Sequence, residues 1–181
     1  MSTKINAYAK PLEIRFKGLY DYDNLLPTIR SYFEEHEFDT LRDTGFKYKA
    51  GSGPAGTEVD IKIEGVRFVS HYIKITLKIK GHAWNVNRKE QDYHGQKKKV
   101  TGGKIQLYVE CTAELDYANM FAPKNPSKQK KAMLDWMKNI LDDQYTGLQA
   151  GENYVTGQVF IRSLASDLQR RVKQYLNMEC Y

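Results

Sequence analysis

The chain has 181 residues and a formal net charge of +6 at pH 7, and 41% of its residues are hydrophobic. This length suits one domain with a sizeable core, and the composition is that of a globular protein rather than a disordered one. The apolar runs are too short to span a bilayer, the N-terminus has no apolar signal-peptide core, and two cysteines exclude a disulfide framework. We therefore expect a single cytoplasmic domain over residues 1–181, with no transmembrane segment.

The N-terminal part of the chain predicts a strand followed by a helix. Residues 1–10 show no hydrophobic period, and we expect a loose tail there. Residues 12–20 alternate between apolar and charged side chains, which predicts the first strand. Residues 21–38 carry apolar side chains at helical spacing, and Asp23 or Asn24 is placed to cap this helix.

Short strands and a glycine-rich segment follow. Alternation around Tyr48 and around Ile61 predicts two strands, and Gly65 is expected to turn the chain into the next one. Residues 51–56 are rich in glycine, but no Gly-Lys-Ser/Thr motif follows them and the next element is a strand. A phosphate loop needs a helix N-terminus aimed at the anion, so we interpret this segment as a hairpin loop.

Two long strands, residues 66–80 and residues 105–117, dominate the pattern. In both, apolar residues alternate with polar ones, which predicts an antiparallel sheet with one buried face. Residues 66–80 would extend over roughly 50 Å, so this strand must bend sharply or break near Ser70 and His71. Residues 81–103 predict an extended hairpin arm with a basic tip.

Helical spacing from about Asn125 to Tyr145, and again from Val155 to Met178, predicts two C-terminal helices. The predicted fold class is therefore α+β. A strongly bent antiparallel sheet of five to seven strands has one helix near the N-terminus and two C-terminal helices packed on its concave face. We expect a common core that contains Ile75, Leu77, Val109, Cys111, Trp136, Leu164 and Leu168.

The sequence contains no pattern typical of a catalytic or metal site. The histidines are scattered along the chain, at His36, His71, His82 and His94, and none has a second ligand at metal-binding spacing. No nucleophile motif, dinucleotide fingerprint or pair of facing carboxylates is present. We therefore expect a protein that is not an enzyme and that uses neither a metal nor a cofactor.

Two dense groups of lysines are the best functional lead. The first lies on the hairpin arm and the second at the start of the penultimate helix; they comprise Lys97, Lys98, Lys99, Lys104, Lys124, Lys128, Lys130 and Lys131. Cations at a helix N-terminus oppose the helix dipole, and a sequence can accept that cost in order to present them to an anion. We predict a binding protein that contacts a nucleic-acid backbone or another polyanion. A merely solvated surface is the alternative interpretation of these lysines.

The outward face of the long strands is a weaker candidate. Lys74, Lys78 and Lys80 alone would make it basic, but Glu110 and Glu114 occupy the same kind of face in the other strand. Cross-strand ion pairs would cancel much of that charge, and an RNA-binding sheet also needs exposed aromatic pairs. Thirteen tyrosines favour a further alternative, a homo-oligomer or a self-assembling structural protein.

Two resemblances can be named. The order of a strand, a helix, curved antiparallel strands and a long C-terminal helix resembles the helix-grip or START-type fold, which implies a carrier of a small apolar ligand as an alternative function. The chain has one helix rather than two after the first strand, and no ligand residues carry over. The spacing of residues 114–117, Phe121, the Trp136 helix and residues 175–179 resembles a group of uncharacterised archaeal proteins, which implies no function.

Overall fold

The computed structural model of the protein describes residues 2–43, 47–49, 57–93, 96–121, 127–146 and 158–178. Their elements, in chain order, are β1 (Thr3–Asn6), β2 (Leu12–Tyr20), α1 (Tyr22–Glu35), β3 (Thr40–Asp43), β4 (Lys47–Lys49), β5 (Thr57–Phe68), β6 (Ile73–Tyr93), β7 (Gln96–Leu115), α2 (Lys128–Thr146) and α3 (Gln158–Tyr175). The predicted loop at 51–56, the predicted turn at His94 and the predicted cap Asn125 lie outside the described residues.

The strands of this part of the chain form one antiparallel sheet. β7 pairs with β6 along one edge, and both β1 and β2 pair along its other edge. β5 lies on the far side of β6 and pairs in turn with β3 and β4. The pairing of β6 with β7 runs from Ile73 opposite Leu115 to Tyr93 opposite Gln96, so residues 81–93 and 96–103 continue the two long strands.

One face of the sheet, which we call the inner face, is buried beneath α1 and α3. Alternate residues of the long strands point into this core, among them Ile75, Leu77, Val109 and Cys111. The helices contribute the residues that recur at helical spacing: Leu25, Ile29 and Phe33 from α1, and Ile161, Leu164, Leu168 and Val172 from α3. The predicted α+β class, with one helix near the N-terminus and two at the C-terminus, is confirmed. The element order keeps the departure from the helix-grip fold noted above, since one helix follows β2 and two helices follow β7.

The start of α1 differs slightly from the prediction. Asp21, rather than Asp23 or Asn24, is the N-cap, and its carboxylate accepts a hydrogen bond from the backbone N–H of Asn24 at 3.2 Å. At the other end, the hydroxyl of Tyr32 donates to the carbonyl of Leu164 at 2.8 Å. This buried bond fixes α1 against α3, and the two helices cover the sheet as one layer.

The break predicted near Ser70 is confirmed. The Ser70 hydroxyl oxygen accepts hydrogen bonds from the backbone N–H groups of Tyr72 and Ile73 at 3.1 and 3.2 Å, which turns the chain from β5 into β6. Gly65 is not that turn; it lies inside β5. A Cβ atom there would come within 2.3 Å of the Phe33 ring, so this glycine makes room for α1 rather than for a change of direction.

The N-terminal residues are more ordered than the sequence indicated. Residues 3–6 form β1, although their side chains show no clear apolar period, because their backbone pairs with residues 112–115 of β7. β3 was also missed, and for the same reason: four residues that pair with β5 leave too short a pattern to recognise. In both cases the pairing partner, not the local sequence, determines the strand.

α2 contacts the rest of the protein through the side that carries Lys138 and Asp142. Its side chains Lys138 and Asp142 lie beside Thr3 and Tyr72, with Lys138 Nζ 3.0 Å from Thr3 Oγ1. Burial raises the pKa of Asp142, but the hydrogen bonds from Lys138, Tyr72 and Thr3 outweigh this effect and hold the pKa below its usual value. Trp136 was expected in the core, but 63% of it is exposed, because the helix turns a different face to the sheet.

Candidate functional site

The outward face of the sheet, which we call the outer face, carries cross-strand ion pairs at one end. Lys74 pairs with Glu114, Lys78 lies 3.3 Å from Glu64, and Lys80 lies 3.0 Å from Glu110. These contacts join adjacent strands in the pattern predicted from the alternation. They offset the charges of these three lysines.

At the other end of the outer face, where β2 pairs with β7, lysines face each other instead of facing acids. There β2 sets Lys17 directly opposite Lys104 of β7, and Arg15 opposite Gln106. Among the side chains that the structure describes, neither Lys17 nor Lys104 has an ion-pair partner. Like charges that face each other across a strand pair destabilise the sheet by a few tenths of a kcal/mol or more. This part of the face therefore keeps a concentrated positive charge at an energetic cost.

An open pocket of about 450 Å³ lies over these residues. Its lining combines three cations, two aromatic side chains and one amide side chain, and comprises Arg15, Phe16, Lys17, Trp84, Lys104, Ile105 and Gln106. Trp84 is the direct neighbour of Lys104 across the β6–β7 pair. The pocket thus places a flat aromatic ring beside two lysines, a combination that suits a planar ligand bearing negative charge.

A β-bulge positions Trp84 in this pocket. The register of β6 against β7 shifts between Trp84 and Asn87, and Asn85 adopts a left-handed backbone with φ of 54°. Across from the bulge, a Cβ atom on Gly103 would come within 2.8 Å of the Trp84 carbonyl oxygen. Only glycine allows this close approach, and bulges commonly redirect a side chain beside a functional site.

Hydrogen bonds organise the β2 side of the pocket. Arg15 Nε donates to Glu13 at 2.6 Å, and Gln106 donates both to Glu13 and to the Tyr108 hydroxyl. The bonds from Arg15 and from Gln106 hold the pKa of Glu13 below its usual value. Glu13 therefore stays ionised and offsets much of the charge of Arg15, so the uncompensated charge is concentrated on Lys17 and Lys104.

The β5 side of the pocket is acidic. The ring of His82 lies 4.3 Å from that of Trp84, measured between centroids, in an edge-on arrangement. Asp60 contacts Nδ1 of the same histidine, and Glu58 lies 3.7 Å from Nε2. An anionic ligand would therefore lie towards β2 and β7, with Trp84 between the basic and the acidic regions.

The structure separates the lysines predicted from the sequence. Lys104 is exposed on the outer face, whereas Lys97, Lys98 and Lys99 lie farther along β7, with their Cα atoms opposite Asp92, Gln91 and Glu90. Lys124 lies outside the described residues. Lys128 is the first residue of α2, and Lys130 and Lys131 are exposed in the same first turn. The Ser127 hydroxyl oxygen accepts a hydrogen bond from the Lys130 N–H at 3.4 Å.

No sequence pattern groups Arg15, Lys17 and Trp84 as a site. Alternation alone indicates that Arg15 and Lys17 point away from the core, as do Lys104 and Gln106. What the sequence does not contain is the register that brings β2 beside the middle of β7. Without the register, Lys17 and Lys104 are unrelated cations 87 positions apart in the chain.

A second pocket, of about 200 Å³, lies at the edge of β7 where β1 has ended and β2 has not begun. Residues 7–11 bridge this gap, and the Ala7 N–H donates to the Cys111 carbonyl at 2.9 Å. Neither of the two pockets lies between the inner face and α3, where the helix-grip resemblance would place a ligand. Among the described residues, no group of three or more potential ligands is arranged to hold a metal ion.

Comparisons with known proteins leave the family open. No protein-family model and no curated protein matches the chain. Among solved structures, it is similar to the X-ray structure of norcoclaurine synthase from Thalictrum flavum at 12% sequence identity, over 79% of this chain and 88% of that chain, with a TM-score of 0.17. A likeness this weak carries no argument. The resemblance to archaeal proteins stays a prediction. Within the described ranges, no helix has the length and apolar character to cross a membrane.

Proposed function

We propose that this protein binds single-stranded nucleic acid on its outer face without catalysing a reaction, with Lys17 and Lys104 contacting phosphates and Trp84 stacking on a base. The observation that supports this most strongly is the facing pair Lys17 and Lys104. Lys74, Lys78 and Lys80 of the same face each pair with a glutamate, whereas Lys17 and Lys104 have no acidic partner among the described side chains and border a pocket. A polyanion would relieve their mutual repulsion.

Trp84 favours a single strand over a duplex. In a duplex the base faces are covered by neighbouring base pairs, and an aromatic ring on a sheet has nothing on which to stack. In a single strand the bases can be splayed onto aromatic side chains while basic groups follow the backbone. Contacts of this kind carry little sequence information, so we expect weak sequence preference.

A salt titration tests the phosphate contacts. Binding to a mixed-sequence single-stranded oligonucleotide of about 12 nucleotides should weaken with salt by a slope of about −0.7 per phosphate neutralised. The double variant Lys17→Gln with Lys104→Gln should reduce that slope by about 1.4, because two phosphate contacts are lost. The matched control, Lys74→Gln with Lys78→Gln, removes the same charge from the same face but from lysines already paired with acids. It should keep the wild-type slope.

The stacking contact needs a separate variant. Trp84→Leu should weaken oligonucleotide binding by about 1–3 kcal/mol, the usual effect of losing one stacked base. It should leave binding to inorganic polyphosphate, which has no bases, unchanged. In a Trp136→Phe background, Trp84 is the sole tryptophan, and its fluorescence should be quenched on binding. Equal salt slopes for the two double variants, or equal losses on both ligands, would contradict the proposed site.

The lysines farther along β7 remain a further hypothesis. Lys97, Lys98 and Lys99 would extend the contact along the strand beyond Lys104. Replacing all three by Gln should reduce the salt slope further on long oligonucleotides only. If short and long oligonucleotides respond equally to this change, these lysines are not part of the path.

A further inference from the structure

Glu58 lies beside Trp84 on the outer face, on the side away from the lysines. The pairing of β5 with β6 skips at this point from Val86 to Ala83, so Glu58 is level with the bulge that begins at Trp84. Its carboxylate lies 3.7 Å from the ring of the histidine that packs edge-on against Trp84. An acid and an aromatic side chain are therefore neighbours on this surface.

Four adjacent strands carry a row of side chains at this level. From β5 to β2 the row reads Glu58, Trp84, Lys104 and Lys17, because Trp84 lies opposite Lys104 and Lys104 opposite Lys17. The order is an acid, an aromatic ring and two cations. A nucleotide whose phosphate contacts the lysines and whose base stacks on Trp84 extends along this row, and the far edge of its base points towards Glu58.

The side chains at this edge accept hydrogen bonds and do not donate them. Asp60 contacts Nδ1 of His82, and because an ionised carboxylate only accepts, Nδ1 carries the hydrogen. In the neutral ring Nε2 is then an acceptor, and its 3.7 Å distance from Glu58 is too long for a hydrogen bond. The Glu58 carboxylate accepts no hydrogen bond from the described residues, and 40% of its side chain is exposed.

A free carboxylate beside a stacked base selects a base with adjacent donors. Guanine presents N1–H and an amino N–H side by side, which match the two oxygens of one carboxylate. Adenine and cytosine present an amino group next to a ring nitrogen that accepts. Thymine and uracil present one N–H between two carbonyl oxygens. In each of these three patterns an acceptor would face the carboxylate, which is unfavourable.

We propose that Glu58 is a specificity-determining residue, and that the base stacked on Trp84 is preferentially guanine. This inference rests on the proposed function, since phosphate contacts at Lys17 and Lys104 are what direct the base edge towards β5. It concerns one nucleotide only. The rest of the strand is bound through its backbone and carries no such preference.

A single guanine in a thymine background tests the proposal on the full chain. An oligothymidylate of about 12 nucleotides with one central dG should bind about tenfold more tightly than the same strand without it, the usual effect of a two-bond base contact. Purines stack more strongly than thymine, so the deciding comparison is a central dG against a central dA. Deoxyinosine, which keeps N1–H but lacks the amino group, should fall between the two.

Glu58→Gln separates the edge contact from stacking. It preserves the shape of the side chain but replaces one acceptor oxygen with a donor, so most of the preference for dG over dA should be lost. Binding to plain oligothymidylate should not weaken. The matched control is Glu64→Gln, which removes the same charge from the same strand at an acid that lies 3.3 Å from Lys78. It should keep the full preference.

The outcomes distinguish this inference from the proposed function. If oligothymidylate binds with a salt slope that depends on Lys17 and Lys104, but dG and dA bind alike, the guanine preference is wrong and the proposed function stands. If no oligonucleotide binds, both are wrong. A preference for dG that survives Glu58→Gln, or that is lost equally with Glu64→Gln, would show that Glu58 does not read the base.

Discussion

The bulge that positions Trp84 can be tested at Gly103. A Cβ atom at this position would lie 2.8 Å from the Trp84 carbonyl oxygen and 3.1 Å from that of Asn85. Ordinary contacts begin near 3.4 Å, so the backbone of the bulge would have to retreat by about 0.6 Å. Backbone atoms in a paired strand cannot rotate away as a side chain can. We therefore expect Gly103→Ala to cost about 1–3 kcal/mol of unfolding free energy, the usual cost of overpacking.

Gly18 provides the matched control, because it lies directly opposite Gly103 in the β2–β7 pair. A Cβ atom on Gly18 meets the ring of Phe16 at 3.0 Å, and that ring can move. Gly18→Ala should therefore cost less than 1 kcal/mol or stabilise the strand slightly. Urea unfolding gives both free energies. In the Trp136→Phe background, the emission of Trp84 should change only with Gly103→Ala, and oligonucleotide affinity should fall with it. Equal costs for the two alanines, or unchanged Trp84 emission in both, would refute this account of the bulge.

Two further predictions concern stability. Leu77→Ala, at a fully buried position of β6, should cost about 2–5 kcal/mol in urea unfolding; a loss below about 0.5 kcal/mol would contradict the assignment of the inner face. Asp116 is buried with φ of 51°, and its carboxylate accepts from the Met120 N–H at 2.6 Å. Asp116→Ala should therefore cost about 1–3 kcal/mol, whereas Asp116→Asn, which keeps an acceptor and tolerates this backbone, should cost less; equal losses would show that the hydrogen bond does not matter.

The sequence predicts most of the fold because its strongest signal is the alternation of the long strands. Val109 and Cys111 face the core, as expected, and the strand breaks at Ser70, where its length required a break. The errors have a common cause. Residues 3–6 form a strand because their backbone pairs with β7, not because of their own side chains. Gly65 lies within a strand, where the absence of a side chain leaves room for the ring of Phe33. Long-range contacts decide both positions.

Trp136 illustrates a limit of helical periodicity. The stripe that contains it has the spacing of a core-facing helix, and the prediction placed Trp136 in the core on that ground. Periodicity shows that a helix has an apolar face, but it does not show what covers that face. In α2 the sheet is contacted instead through Lys138 and Asp142, which are charged and bonded to Thr3. Only the structure distinguishes a core face from an exposed one.

The position of the candidate site follows from the distribution of acidic residues along the outer face of β7. Glu110 and Glu114 lie on the outer face, where they pair with Lys80 and Lys74 of β6 and offset the charges of these two lysines. Towards the N-terminus of β7, the same face carries Lys104 and Gln106 in their place, and β2 supplies Lys17 rather than an acid. One strand therefore divides a uniformly alternating face into a part that stabilises the sheet through ion pairs and a part that retains its charge. Because retained charge destabilises the sheet and is not needed for folding, the basic end is where we expect selection for binding to have acted.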